Sequence, residues 1–253
     1  MPRFFVDPGA VGRDTITVTE GDYNHIRNVL RMRIGEAITV CDGQGTEYAC
    51  TVDSYGEREC ILRIAERIPS TVELPVAITL CQGLPKKDKM ELIIQKAVEL
   101  GVVRVVPVMC ERTIVKLEDP KKEVRKVERF GAIAEAAAKQ SGRGIVPEVT
   151  HPITWKQAVN DAKARGDILL VPYENALGMR ATTDAFAEAI RASGVSIFIG
   201  PEGGLTREEV SYAERSGAKI ISLGRRILRT ETAGITVLSA LMLRIEEANE
   251  ADI

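Results

Sequence analysis

Short apolar segments alternate with helical segments through most of the chain, and this alternation is the feature that most limits its fold. Each apolar segment is hydrophobic enough to be buried on both faces, as the strands of a parallel sheet are. The sequence therefore predicts an α/β fold, with a mostly parallel sheet covered by helices. The predicted strands are residues 76–81, 102–106, 168–171, 195–199 and 219–223.

The helical segments each have one apolar face. Residues 87–100 place apolar side chains at i, i+3, i+4, i+7 and i+8. A second helix is predicted near residues 124–139, and a last helix follows a cap at Thr230 or Thr232. The side chains predicted to be buried are Met90, Ile93, Ile94, Ala97 and Val98, then Val127, Phe130, Ile133, Ala134, Ala137 and Ala138, and finally Ile235, Leu238, Leu241, Met242 and Ile245.

The first 70 residues have a β pattern instead. Alternating segments at residues 38–41, 48–52 and 60–64 predict strands, and Asp42-Gly43-Gln44-Gly45 is a hairpin signal. One or two helical turns are predicted within residues 23–32, and the whole favours a small β-barrel. Residues 68–75 carry two prolines and no clear period, so the predicted domains are residues 1–70 and 75–253.

Composition limits the classes of function. The formal net charge is −2, so any contact with nucleic acid must come from a local basic patch. The five cysteines include no C-x-x-C pair, and with two histidines the sequence predicts a reduced, cytosolic protein without a metal site. No apolar stretch approaches about 18 residues, and the N-terminus has no signal-peptide pattern, so no membrane span is predicted.

Two glycine-bearing loops follow the last two predicted strands. Residues 198–209 read FIGPEGGLTREE, in which Thr206 and Glu209 form a capping box that starts a helix. Residues 222–236 read SLGRRILRTETAGIT, with a basic segment after Gly224. Loops at the carboxyl ends of parallel strands predict a ligand-binding crevice, although glycines in a tight structural turn would give the same pattern.

The position of these loops differs from that in an ordinary dinucleotide-binding fold. There, the glycine motif follows the first strand of the unit. Here the first strand leads into Gln82-Gly83-Leu84-Pro85-Lys86, which matches neither the dinucleotide nor the P-loop pattern.

The loops GPEGGLT (residues 200–206) and LGRRILRTETA (residues 223–233) resemble the C-terminal signature motifs of the SPOUT RNA methyltransferases. More narrowly, the chain resembles the RsmE family, whose members methylate N3 of a uridine in 16S ribosomal RNA. Three further segments match that family in order: NHIRNVLRM (24–32), KME with IQKAVELG (89–91 and 94–101), and AKQSGR with Pro147 (138–143). Ser141 stands where the family often has cysteine, which leaves the class unchanged.

The resemblance implies more than the spacing does. The C-terminal domain would be a trefoil-knotted SPOUT α/β-knot that binds S-adenosylmethionine, and the N-terminal domain a PUA-like β-barrel that grips RNA. The molecule would be a cytoplasmic homodimer acting on 16S rRNA in the small ribosomal subunit. The low net charge favours a folded RNA target over a linear sequence.

The cofactor residues expected from the resemblance lie at the ends of three strands. Glycines permit close backbone approach, and apolar side chains would form an adenine slot, although core packing is the structural alternative for the leucines. The expected residues are Val171, Pro172, Gly200, Glu202, Gly203, Leu223, Gly224, Ile227 and Leu228.

For the reaction, we expect Arg229 to stabilise the uridine anion or orient the base, with Arg226 as second candidate. Phosphate binding, or an ion pair with Glu231, is the alternative for these arginines. Glu202 is expected either to accept the proton or to make a structural or cofactor contact. The residues expected to contact RNA are Arg3, His25, Arg27, Arg31, Arg33, Lys86 with its neighbours Lys87 and Lys89, and Arg143. Arg27 and Arg31 would share a helix face, although a solvated charged face would look the same.

Two other functions compete with this interpretation. Another SPOUT enzyme could modify ribose or tRNA guanine, but those families tend to carry an asparagine in the final motif, which here reads LGRRILRTETA. A non-catalytic RNA-binding assembly factor could retain the barrel without turnover. A nucleotide-binding enzyme that uses GPEGG for phosphate is a weaker third, since no paired lysine or acidic metal cluster accompanies the loop.

Overall fold

A computed structural model describes residues 3–114, 120–176 and 178–251. The chain divides into two compact units. The first contains the residues up to Glu73 together with Ala138–Val146, and the second contains Leu74–Ala137 and the residues from Pro147 onward. The sequence prediction placed the boundary in the same linker but did not assign residues 138–146 to the first unit.

The first unit is a five-stranded half-barrel sheet, which confirms the predicted β class. Its strand order is β1-β3-β4-β5-β2, with β1 and β3 parallel and the other neighbours antiparallel. The hairpin predicted between β3 and β4 is present, because Asp42 Oδ1 accepts hydrogen bonds from the N–H groups of Gln44 (2.8 Å) and Thr46 (3.0 Å). The strands are β1 (Arg3–Phe5), β2 (Thr15–Thr19), β3 (Ala37–Cys41), β4 (Thr46–Tyr55) and β5 (Glu59–Pro69).

The one or two helical turns predicted within residues 23–32 are present but begin and end three residues earlier. An α-helical turn, α1 (Glu20–Asn24), continues as one π-helical turn at His25–Val29. Arg31 has a φ of 53°, in the left-handed region, so it ends the helical path. The expectation that Arg27 and Arg31 share a helix face is therefore wrong.

The second unit contains a parallel sheet in the order β12-β10-β11-β6-β7-β8, with β9 also paired to β7. The predicted α/β class is confirmed. The strands are β6 (Ala77–Gly83), β7 (Val102–Met109), β8 (Glu148–Val149), β9 (Ile153–Thr154), β10 (Ile168–Pro172), β11 (Gly194–Ile199) and β12 (Lys219–Ile221). The helices are α2 (Lys89–Glu99), α3 (Pro120–Ser141), α4 (Trp155–Arg165), α5 (Arg180–Ala189), α6 (Arg207–Arg215) and α7 (Thr230–Ala251).

Several strand predictions differ from the structure: β7 continues three residues past its predicted end, and β1 and β2 were not predicted. Strand β12 ends before Ser222, because the Ser222 N–H donates to Thr182 Oγ1 (3.0 Å) instead of continuing the sheet. Strands β8 and β9 were not predicted, since each has only two residues and no periodicity develops over that length. The trefoil knot stays a prediction from the resemblance.

Helix burial follows the predicted faces closely but not everywhere. Helix α2 buries all five expected side chains. In α3, Val127 and Ile133 are only half-buried. In α7, Ile235 and Met242 are half-buried, whereas Val237 is fully buried, because this helix packs against both α2 and β11.

All five cysteines are buried and free. Burial raises the pKa of Cys81 to about 12, so this thiol stays protonated at neutral pH. These residues therefore act as small apolar side chains, as their spacing predicts. In the described ranges, no helix is both long and apolar enough to cross a bilayer.

Candidate functional site

A cavity of about 430 Å³ opens in the second unit, beyond the carboxyl ends of β10 and β11. Its walls come from residues 172–174, 199–205, 223–224 and 226–230, together with Lys89 and Ala233. Eight of the nine residues expected to bind a cofactor line it, while Val171 is fully buried beneath. The eight are Pro172, Gly200, Glu202, Gly203, Leu223, Gly224, Ile227 and Leu228, and Arg226 and Arg229 join them.

The first glycine loop is tightly packed. A Cβ on Gly200 would lie 3.0 Å from Leu205 Cγ, and one on Gly203 would lie 3.0 Å from Arg112 Cβ. The Arg112 guanidinium also donates to the Gly203 carbonyl at 2.9 Å. Gly204 has a φ of 70°, a conformation that favours glycine. The glycines are therefore needed to form the tight turn itself. This structural role is compatible with a role in binding a ligand.

The predicted capping box at the start of α6 is confirmed. Thr206 Oγ1 accepts the Glu209 N–H (3.2 Å), and Glu209 Oε2 accepts the Thr206 N–H (2.8 Å). Glu209 Oε1 accepts a further bond from the Glu111 N–H at 2.8 Å, so the segment after β7 holds the start of α6. This network makes the base of the first loop rigid.

The second glycine loop presents apolar side chains to the cavity. Ile227 is 83% exposed, and Leu223 and Leu228 are half-buried. Ile227 is therefore not a core side chain, whereas the core-packing alternative concerns Leu223 and Leu228, which are each buried in part. Gly224 has a φ of 102°, and its N–H donates to Ser222 Oγ at 3.2 Å, which turns the chain after β12.

The last helix begins at Thr230, one of the two predicted caps. The Thr230 hydroxyl does not cap the helix, because it donates a hydrogen bond to the Gly200 carbonyl at 2.6 Å. Thr230 thus connects the end of the second loop to the start of the first.

Glu202 is held as a carboxylate at the cavity wall. Its Oε1 accepts the Lys86 N–H at 3.1 Å and lies 3.2 Å from Lys89 Nζ. Partial burial would raise the pKa of Glu202, but the backbone hydrogen bonds and Lys89 outweigh it and lower the pKa below its usual 4.5. A carboxylate with a lowered pKa is a weak base, so the contact role fits Glu202 better than the proton-acceptor role.

Lys89 lines the cavity, whereas the sequence analysis expected it, with Lys86 and Lys87, to contact RNA. Its Nζ lies 3.2 Å from Glu202 and 3.3 Å from Glu231. The hydrogen bond with Glu202 is the main reason that the pKa of Lys89 is raised. Glu231 therefore pairs with Lys89, not with Arg226 or Arg229. Both carboxylates lie far from Lys89 in the sequence, so no local pattern around Lys89 predicts these ion pairs.

Arg226 and Arg229 are exposed at the cavity mouth. Among the described residues, neither guanidinium has an ion-pair partner within 4.0 Å. Both are therefore available to an anion or a base, and nothing in their surroundings separates the catalytic from the phosphate-binding role.

The arginines expected to contact RNA in the first unit fall into two groups. Arg27, Arg31 and Arg33 are exposed, as is His25. The Arg27 guanidinium lies 5.7 Å from the centre of the Tyr23 ring and 5.4 Å from that of Tyr55. These residues form an exposed basic surface, in which the Arg27 guanidinium lies against two tyrosine rings.

Arg3 and Arg143 are instead committed to internal ion pairs of the first unit. Arg3 Nη2 lies 2.9 Å from Glu47 Oε2, and Arg143 is 4% exposed and pairs with Glu73. Glu73 Oε1 also accepts the Gly144 N–H at 2.9 Å. RNA contact by Arg143 would require this buried pair to break, which costs several kcal/mol. Lys86, in the second unit, has an exposed side chain, while its backbone N–H holds Glu202.

Metal ligands do not cluster here: no group of three or more His, Cys, Asp or Glu side chains converges among the described residues.

Comparison with known families covers both units. Residues 72–242 match the family model of the RNA methyltransferase domain, and residues 18–65 match that of the RNA methyltransferase PUA domain. The first match covers more than half of the chain and contains every cavity residue.

Individual relatives agree with the family models. A ribosomal RNA small subunit methyltransferase E from Bacillus subtilis is 36% identical, covering 97% of this chain and 98% of that protein. The crystal structure of a protein of the same name from Neisseria gonorrhoeae, bound to S-adenosyl methionine, is 30% identical with a TM-score of 0.83, covering 96% and 98% of the two chains. A Legionella pneumophila methyltransferase in complex with SAM is 32% identical with a TM-score of 0.81, covering 96% and 97%.

Proposed function

This chain belongs to the ribosomal RNA small subunit methyltransferase E family, and we propose that it methylates N3 of a uridine in 16S ribosomal RNA with S-adenosylmethionine as methyl donor. The main support in the structure is the cavity that both glycine loops build together. Its volume of about 430 Å³ suits a small-molecule ligand.

The residues around the cavity suit this cofactor. Apolar side chains of the second loop offer a surface for an adenine ring, and the glycines of the first loop place backbone groups at the cavity wall. Glu202, held in its ionised form, supplies negative charge that suits a sulfonium and an ammonium group. When bound, S-adenosylmethionine supplies an electrophilic methyl group.

The protein's own contribution is positioning and charge. The N3–methyl bond forms as the sulfur–methyl bond breaks, and the N3 proton must leave for a base. Arg229, which has no ion-pair partner among the described residues, would stabilise the negative charge on the uracil carbonyls, with Arg226 second. Glu202 would stay a loop and cofactor contact, since its lowered pKa makes it a poor proton acceptor.

RNA binding is assigned to the first unit, with Arg27, Arg31, Arg33 and His25 as contacts and Lys86 as a contact from the second unit. Arg3 and Arg143 would stabilise the fold instead. We further propose a homodimer, as the resemblance implies, which light scattering at several concentrations would test. The ribosomal substrate is the reason to propose action in the cytoplasm.

One experiment tests the reaction. The protein is incubated with methyl-labelled S-adenosylmethionine and small subunits that lack the modification, and the RNA is digested to nucleosides. We expect the label in N3-methyluridine. Label in a 2′-O-methyl nucleoside would indicate another SPOUT activity, and cofactor binding without any transfer would indicate a non-catalytic assembly factor. Equal methylation of short free oligonucleotides would contradict the need for a folded target.

A further inference from the structure

A buried hydrogen-bond chain connects the two loops of the cavity. Gln82, near the end of β6, is 0% exposed. Its Nε2 donates to Thr230 Oγ1 at 2.8 Å, and Thr230 Oγ1 lies 2.6 Å from the Gly200 carbonyl oxygen. Thr230 and Gly200 line the cavity, whereas Gln82 does not, so any effect of Gln82 on a ligand must pass through these two.

The direction of this chain is determined by its chemistry. The Gln82 amide also donates to the Gly83 carbonyl at 2.9 Å, and a carbonyl accepts only. The amide nitrogen therefore faces Gly83 and Thr230, and both of its protons are used. Because Thr230 Oγ1 accepts from Gln82, its single proton goes to Gly200. Within the described residues, Gln82 Oε1 has no hydrogen-bond partner. Exchanging the amide oxygen and nitrogen would therefore lose the two donated hydrogen bonds without gaining another.

The loops are also packed closely around this chain. A Cβ on Gly83 would lie 2.7 Å from the Pro201 nitrogen, so the end of β6 touches the first loop directly. Nearer the surface, Lys89 bridges Glu202 on the first loop and Glu231 at the start of α7. The segment from β6 into α2 thus joins the same two loops twice, once through buried neutral groups and once through partly exposed charges.

We propose that Gln82 is a positioning residue for the cofactor: through Thr230 it sets the separation of the two loops that would hold S-adenosylmethionine. The proposal rests on the proposed function, because it needs a ligand between the loops. A buried neutral bridge is insensitive to salt, whereas salt screens the charges of the partly exposed Lys89 bridge.

The test uses isosteric variants that remove hydrogen bonds and keep volume. Gln82→Met removes both donors, and Thr230→Val removes the hydroxyl, whereas Thr230→Ser retains it. The matched control is Ser196→Ala, because Ser196 is also fully buried, donates to Asp167 at 2.7 Å, and lies on β11 away from the cavity. Affinity for S-adenosylmethionine is measured by calorimetry on the full chain, and thermal unfolding is followed in parallel.

We expect Gln82→Met and Thr230→Val each to weaken cofactor binding by roughly tenfold. The double variant should be little weaker than the weaker single variant, since both changes break one chain. Thr230→Ser, which retains the hydroxyl, should bind more tightly than Thr230→Val, and Ser196→Ala should lose stability with unchanged affinity. In turnover, KM for the cofactor should rise more than kcat falls.

Failure of the proposed function and failure of the positioning proposal give different results. If the unaltered protein does not bind S-adenosylmethionine, the proposed function fails. If it binds, and both Gln82→Met and Thr230→Val bind within twofold of it while only their stability falls, Gln82 is merely structural and the positioning proposal is overturned. If Gln82→Met does not fold, the comparison of Thr230→Val with Thr230→Ser decides.

Discussion

At the scale of single residues, the cavity contains charges that are held and charges that are free. Glu202 is fixed by the Lys86 backbone and by Lys89, and Glu231 shares Lys89. Arg226 and Arg229 face the same opening without an ion-pair partner among the described residues. We interpret the held charges as part of the loop and the free ones as groups for the substrate.

The first prediction concerns Arg229. Arg229→Ala should bind S-adenosylmethionine as the wild type does, because the loops stay intact, but lose about 100-fold or more in kcat if it stabilises the uridine anion. Single-turnover methylation and calorimetry measure the two effects. Arg225→Ala is the control, since Arg225 is exposed on the same loop but does not line the cavity. Methylation by Arg229→Ala at the wild-type rate would rule out the assignment.

The second prediction concerns the pH dependence that Glu202 confers. Its pKa is lowered in the folded protein, so its contribution to stability is present above pH 4.5 and is lost as the pH falls through the lowered value. Glu202→Gln should therefore be less stable than the wild type at neutral pH, by no more than about 1 kcal/mol for such an exposed group. Urea unfolding at several pH values should show this difference shrinking below pH 4.5. A difference that stays constant into acid would contradict it.

The third prediction uses two glycines in different surroundings. Gly83→Ala would push a methyl group to within 2.7 Å of the Pro201 backbone, so it should destabilise the protein and weaken cofactor binding together. Gly131, within α3, has nothing within 4 Å of an added Cβ, so Gly131→Ala should stabilise by up to about 1 kcal/mol. Thermal unfolding of both variants checks the signs. If the two variants changed the thermal stability equally, the backbone around Gly83 would accommodate the methyl group without a loss of stability.

At the scale of elements, local sequence signals were sufficient where the partners are near in sequence. The buried face of α2 and the capping box of α6 depend on side chains three or four positions apart, and each is present as predicted. The ends of β12 and of the helix before Arg31 were not predicted, because they depend on Thr182 and on a left-handed residue other than glycine.

The fourth prediction compares two capping boxes. Thr206→Ala and Thr154→Ala should each cost about 1 kcal/mol, because each removes the side-chain cap of one helix, α6 or α4. Only Thr206→Ala should also weaken cofactor binding, since α6 directly follows the first glycine loop. Thermal unfolding and calorimetry separate the two effects. If Thr154→Ala weakens binding equally, the loop is not what the Thr206 cap supports.

At the scale of the whole molecule, charge is local, not global. The net charge is −2, so recognition of RNA must depend on patches such as Arg27, Arg31 and Arg33. The fifth prediction is that replacing these three by alanine weakens binding to the small subunit, lowers the slope of affinity against salt by up to about 3, and leaves cofactor affinity unchanged.

A matched control removes the same charge elsewhere. Lys163, Arg191 and Arg215 are exposed positions of the second unit that do not line the cavity. Their triple alanine variant should bind the small subunit almost as well as the wild type. If both triple variants weaken binding equally, net charge and not the patch is responsible.

The sequence by itself determined the α/β class, the helix faces, the two glycine loops and most of the cavity residues, because each of these signals lies within a few positions along the chain. Only the tertiary structure decided that Gln82 meets Thr230, 148 positions away, and that Lys89 meets Glu202. It also decided that Arg3 and Arg143 are used internally while Arg27 is exposed. The local sequence around an arginine does not distinguish an internal ion pair from an exposed contact, because the packing of distant segments determines which partner it meets.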